Sequence, residues 1–279
     1  MMQGKLRKMF TDLADTVQYR LPLVQSDNST ALFVDMNNLI GKKIKLCFLD
    51  EINCVACGTK TKKSYSQGHC YMCMKSLPEC DLCIMKPETC HYAEGTCRDS
   101  VWADEHCMQK HYVYLANSSG IKVGITRGTQ VPTRWMDQGA IQALPIFEVK
   151  DRLMSGLLEV IIKQEVSDKT DWRKMLKGLI VDIDLKQRRD EILAACADEI
   201  EALRQQYGDD SMTALNDADL VDINYPVDEY PEKVKSFNFD KTPEIEGVLK
   251  GIKGQYLILD SGVFNILKFT GYNITLEHE

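Results

Sequence analysis

No run of about 18 consecutive apolar residues occurs in the 279-residue chain, which sets aside a membrane-spanning helix. The first residues, Met-Met-Gln-Gly-Lys-Leu-Arg-Lys-Met-Phe, carry charge with no apolar segment behind them. A secretory signal is therefore not expected, and a cytoplasmic location is. Internal repeats and low-complexity segments are also missing, which sets aside solenoids. Net positive charge is lacking too: the formal value is -7 at pH 7, which on its face opposes nucleic-acid binding. The distribution decides otherwise, because residues 176–250 hold 9 Lys+Arg against 18 Asp+Glu, whereas residues 111–175 hold 9 against 7. The acidity thus sits outside the centre, where a phosphate-binding surface stays open.

What the chain has in excess is cysteine. Nine of the eleven fall between Cys54 and Cys107, and clustered thiols in a reducing compartment bind metal rather than form disulfides. Cys47 and Cys196 lie outside the block and read as small buried hydrophobes. Cys54-Val-Ala-Cys57, a twelve-residue spacer and Cys70-Tyr-Met-Cys73 form the two-turn pattern of a structural zinc site. Each pair places two sulfurs on one tight turn, and two turns complete a tetrahedron of thiolates at about 2.3 Å per bond. Gly58 and Gly68 suit the backbone of such turns.

A second structural zinc is expected from Cys80, Cys83, Cys97 and Cys107, with Cys90, His91, His106 and His111 competing for the last two places. An iron–sulfur cluster is the alternative occupant, since thiolates hold those as well. For each lone histidine, a hydrogen-bonded structural role weighs at least as much as ligation.

Period-two apolar patterning makes residues 1–53 a β segment, ending on Lys43-Ile44-Lys45-Leu46-Cys47-Phe48-Leu49, which delivers the chain to Cys54. Polar residues Gln25 to Thr30 and Asn37-Asn38 punctuate it as turns. Residues 54–110 are the cysteine-rich module. From there, residues 111–175 read as an α/β domain: strand Tyr112 to Ala116, turn Asn117 to Gly120, strand Ile121 to Thr126, a short helix Val131 to Gln138 opened by Pro132, and a strand Ala143 to Val149. A helix follows over 151–166, with Glu159 offset from its apolar stripe. Asp168 to Asp171 lead into another helix start near Trp172. Residues 176–244 form a connection, with one helix of about six turns over 185–206 and an irregular stretch after it. Residues 245–279 return to strands, and the two strand-rich ends suggest one shared barrel or sandwich.

A hairpin with Tyr112-Val113-Tyr114 on one strand and Lys122-Val123-Gly124-Ile125-Thr126 on the next, then a helix with Arg134 and a helix with Glu159, resembles the GIY-YIG nuclease domain over about residues 111–166. The whole arrangement, cysteine block included, is also similar to an uncharacterised bacterial family described as a domain of unknown function. The fold class expected is α+β: a zinc-ribbon-like module joined to a small GIY-YIG-like antiparallel sheet with helices, flanked by strand-rich ends.

The resemblance implies roles. Tyr114 helps activate the attacking water, Arg134 contacts the scissile phosphate, and Glu159 holds one divalent metal, Mg²⁺ or Mn²⁺. Gly124 matches the second-motif glycine, while Lys122 stands where that motif has a tyrosine, as in divergent branches. Lys60, Lys62 and Lys63, in the loop between the first cysteine pairs, and Arg127 are candidates for gripping nucleic acid. The function expected is a divalent-metal-dependent phosphodiesterase acting on DNA or RNA. The alternative is a non-catalytic nucleic-acid-binding or regulatory protein, favoured by Lys122 and by the lack of a histidine soon after Arg134, where Asp137 and Gln138 lie. A redox or metal sensor using the surplus thiols is the third reading.

Overall fold

The structure is a computed structural model and describes residues 1–25, 30–167 and 169–279. Most of the polar stretch from Gln25 to Thr30, and Asp168, lie outside the described residues. The fold is mixed helix and strand, with curled antiparallel sheets and a cysteine cluster. Two compact units make it up: Met1–Lys75 with Leu176–Gly178 and Asn224–Glu279, and Ser76–Met175 with Leu179–Ile223.

The first unit is built on a ten-stranded antiparallel sheet. Its central strand, Lys43–Asn53, alternates as its sequence dictates, with Ile44 and Leu46 buried. It pairs with Glu244–Lys253 on one side and Tyr272–His278 on the other. Tyr272–His278 then pairs with Met2–Leu6, so both ends of the chain enter one sheet. Aromatic rings fill the core against it: Phe239 lies 4.7 Å from Phe264 between centroids, and Phe264 stacks on Phe269 at 4.9 Å. Lys253 is also buried here, 1% exposed, with its ammonium 5.4 Å from the ring centres of Tyr225 and of Tyr230.

In the second unit, a five-stranded antiparallel sheet runs Met212–Ala214, Gln142–Val149, His111–Asn117, Ile121–Arg127, with Val221–Asp222 also on Gln142–Val149. Val113, Leu115, Val123 and Leu144 turn one face toward Met154, Leu158 and Ile162 of the helix Arg152–Ile162. That helix starts at Asp151, whose carboxylate accepts from the Met154 N–H at 2.9 Å, and it ends four residues before Val166.

The single helix expected over 185–206 is two, Leu185–Ala195 and Ala197–Tyr207. The break falls at buried Cys196 (φ -99, ψ 12), within the small residues Ala194 to Ala197. Asp198 and Glu199 supply the acidic first turn of a new helix, while Ile192, Cys196, Ile200 and Leu203 stay on the core. Residues 207–245, read as an extended, partly irregular connection, contain the two short strands that add to Gln142–Val149. Hydrogen bonding to that strand's free edge organised them, and period-two patterning in so few residues is too weak to announce it.

Candidate functional site

The first cysteine set lies in the first unit, where the strand Lys43–Asn53 ends and the helix Tyr71–Ser76 begins. The sulfurs of Cys54, Cys57, Cys70 and Cys73 all lie within 4.8 Å of one another, and the Cys57 and Cys70 sulfurs are 3.9 Å apart. A zinc tetrahedron with 2.3 Å bonds has edges of about 3.8 Å, so the set fits zinc. Backbone N–H groups support the sulfurs, from Cys70 to Cys54 at 3.2 Å and from Cys73 to Cys70 at 3.5 Å. Four thiols this close do not ionise alike without a cation. Hydrogen bonds from Thr59 bring Cys57 down to about 6, whereas burial pushes the Cys73 thiol up. Gly68, at φ +109, is required here: a side chain would place its Cβ 2.5 Å from Val55 Cγ1.

Lys60 and Lys62, both exposed, line a cleft of about 990 Å³ together with Lys241, Phe48 and Asp240. Lys63 instead carries its ammonium 5.5 Å from the centre of the Tyr65 ring.

In the second unit the hairpin brings Tyr114 opposite Gly124. Tyr114 is fully buried, packs edge-on to Trp135 at 5.9 Å, and donates its hydroxyl to Gln138 Oε1 at 2.9 Å. Lys122, 4% exposed, donates its ammonium to the same oxygen. One amide oxygen thus holds the phenol and the lysine together. Burial pushes the Tyr114 hydroxyl up to about 12; Arg134, close enough to hydrogen-bond it, pulls the other way, and the nearby Glu159 carboxylate adds to the rise. Arg134 and Glu159 thus act on the Tyr114 hydroxyl, and Lys122 joins it through the shared Gln138 oxygen. Arg134 is exposed, on the short helix Thr133–Asp137, and Glu159 is half-buried. Gly124 matters to this assembly, because a Cβ there would lie 2.7 Å from Cζ and from the hydroxyl oxygen of Tyr114.

Arg127 sits three residues beyond Gly124 on the strand, opposite His111, and its charge acts on His111 and Cys107. Arg152, at the start of the Glu159 helix, feels both Arg134 and Arg127, so three arginines share one neighbourhood. Sequence reasoning missed Arg152 and Gln138. Arg152 had only its place in the first turn of a helix to mark it, and Gln138 gave a faint signal as the polar residue closing the Arg134 helix.

Around the second cysteine set, Cys83, Cys90, Cys97 and Cys107 line one small enclosed space, and Cys80 is not among the lining residues. Cys83 and Cys107 are buried, the others half-buried. The competing histidines have protein partners. His91 Nδ1 meets Thr96 Oγ1 at 2.8 Å, while His106 stacks on Trp102 at 4.2 Å and bonds its carbonyl. His111 is fully buried; desolvation brings it down to about 4, and Nδ1 lies 2.7 Å from the Gln109 carbonyl. Its Nε2 is buried without a hydrogen-bond partner.

Among the described residues, no helix is long and apolar enough to cross a membrane. No curated protein and no solved structure matches the chain. A family model does, over residues 41–274, from just before the central strand of the first unit through the second unit to the last strand. The chain belongs to the family described as "Protein of unknown function (DUF2797)".

Proposed function

We propose that the second unit is a phosphodiester-handling site of the GIY-YIG-like kind, cleaving nucleic acid with a divalent metal, while the Cys54–Cys73 zinc is structural. The observation that carries this is the convergence on Tyr114 of residues from two strands and two helices: Lys122 shares the Gln138 oxygen with its hydroxyl, and the charges of Arg134 and Glu159 act on that hydroxyl. Such convergence of a hydroxyl, two cations and a carboxylate matches what phosphodiester hydrolysis asks of a site.

Arg134 is the exposed cation and meets the nonbridging oxygens of the phosphate. Tyr114 stays protonated at neutral pH, since burial holds its hydroxyl up near 12, so it orients a water by hydrogen bonding rather than as a phenolate. Lys122 sets its side-chain nitrogen on the same Gln138 oxygen as that hydroxyl. Among the described residues, Glu159 belongs to no group of three or more metal-donor side chains. One carboxylate suits Mg²⁺ or Mn²⁺, which take most of their ligands from water and phosphate. When bound, the metal stabilises charge on the leaving oxygen. The Lys60 and Lys62 cleft of the first unit adds a sequence-independent grip on the phosphate backbone.

Incubating the purified protein with single- and double-stranded DNA and RNA, with Mg²⁺ or Mn²⁺, tests the reading. Cleavage of at least one class is expected. A second reading, recognition without cleavage, is favoured by the burial of Tyr114 and Lys122, 0% and 4% exposed. Salt-sensitive binding with no product under any metal would establish it in place of the first.

A further inference from the structure

We propose that Cys83, Cys90, Cys97 and Cys107 hold an iron–sulfur cluster, in addition to the zinc of Cys54, Cys57, Cys70 and Cys73. The two sets differ in one geometric respect. The first closes to the spacing a single zinc imposes, with all four sulfurs within 4.8 Å. The second does not: among the described residues, the only other donor group that tight is Asp81, Cys83 and His91. Its four thiols instead stand around one enclosed space, walled by Ile84 and Trp102. A zinc ion touches all four of its sulfurs at once, whereas in a cluster of four irons each thiolate binds its own iron, so the sulfurs stand apart around the inorganic core.

The tight trio is a poor substitute. Asp81 is committed to Arg98, whose Nε lies 2.7 Å away, and it caps the helix Leu82–Met85 by accepting from the Cys83 N–H. His91 has Nδ1 on Thr96 Oγ1 and its Nε2 3.7 Å from the Asp81 carboxylate. Cys83 is the one thiol of the three.

A second observation points to an anionic occupant. Arg152 donates Nη2 to the Ile84 carbonyl at 2.6 Å, and Cys107 and then Cys83 are the thiols that act on its charge. Its Nε is buried and has no hydrogen-bond partner. A guanidinium whose buried Nε is spare, near Cys107 and Cys83, suits a tetrathiolate cluster, whose net charge is negative and whose sulfurs accept hydrogen bonds. The Arg152 N–H also donates to the Cys107 carbonyl at 2.9 Å, and a Cβ on Gly156 would lie 2.6 Å from Pro87 Cβ. The helix that carries Glu159 is thus seated on the loops that carry the cluster.

The test is metal and sulfide analysis of the full chain, expressed with added iron, purified without oxygen and reconstituted with ferrous iron and sulfide. About four iron and four acid-labile sulfide per chain beside one zinc, with a broad absorption near 400 nm, are expected. Cys90→Ser loses the iron while keeping the zinc, which reports that the first unit remains folded. Cys80→Ser keeps both. Two zinc and no iron after reconstitution would overturn the proposal, as would loss of iron in Cys80→Ser with iron retained in Cys90→Ser.

Discussion

Replacing Gly124 by alanine tests whether the hairpin is shaped around Tyr114. The added Cβ would sit 2.7 Å from both Cζ and the hydroxyl oxygen of a ring that is fully buried and tied to Gln138. That ring is also backed by Trp135, so it has no free direction in which to yield. Overpacking of this kind costs about 1–3 kcal/mol. In a unit of this size the loss lowers Tm by roughly 2–10 °C. Calorimetry on Gly124→Ala measures it, and the same variant, with the phenol displaced from Arg134 and Gln138, cleaves more slowly. A double-mutant cycle isolates the cause. On a Tyr114→Leu background the alanine has no ring to strike, so the two changes couple by about 1–2 kcal/mol. Wild-type Tm for Gly124→Ala, or strict additivity with Tyr114→Leu, would refute the argument.

Other consequences are as direct. Cys57→Ser is expected to remove about one zinc per chain, and acidification to release the same metal from the wild type as protons compete for the thiolates; elemental analysis after dialysis follows both. Arg134→Ala should weaken binding to all sequences alike and reduce the slope of log K against log salt by about 1, read by fluorescence anisotropy. Lys253→Met tests the first unit. Burial brings that lysine down to about 8 from its usual 10.5, so the unfolded chain binds more protons between these values and stability rises with pH across them. The penalty is fully present below pH 8 and gone above about 10.5, with a ceiling of about 3 kcal/mol less the 1–2 kcal/mol that the flanking Tyr225 and Tyr230 rings return. Urea denaturation should therefore show Lys253→Met more stable at pH 7 and equal to wild type near pH 10.5.

The sequence was most legible where ligands and partners are local. Two Cys-x-x-Cys pairs announce the first metal site because each pair fixes two sulfurs on one turn, and the spacing survives whatever the spacer does. The second set comes from the helix Leu82–Met85 and three separate turns and loops after it, so its membership depends on how that helix and Ser100–His106 are set. Cys90 rather than Cys80 on the shared cavity is a tertiary outcome that no spacing encodes. The hairpin and its helices were readable from alternation, turn residues and the helical spacing of apolar residues. Lys122 looked like a departure on paper; its burial against Gln138 depends on side-chain rotamers and on the Arg134 helix turning back over the sheet. The break at Cys196 escaped because the apolar stripe continues across it, and periodicity reports the face a helix buries without reporting a bend that keeps that face inward.

Parallel cleavage and binding assays on one end-labelled strand, with the wild type and Glu159→Ala, bear most directly on the central claim that this group of residues works on phosphodiesters. Metal-dependent product formation by the wild type, reduced about 10²-fold or more in Glu159→Ala while binding is retained, is the predicted result. Equal cleavage by both proteins, or binding by both with no cleavage under Mg²⁺ or Mn²⁺, would contradict it.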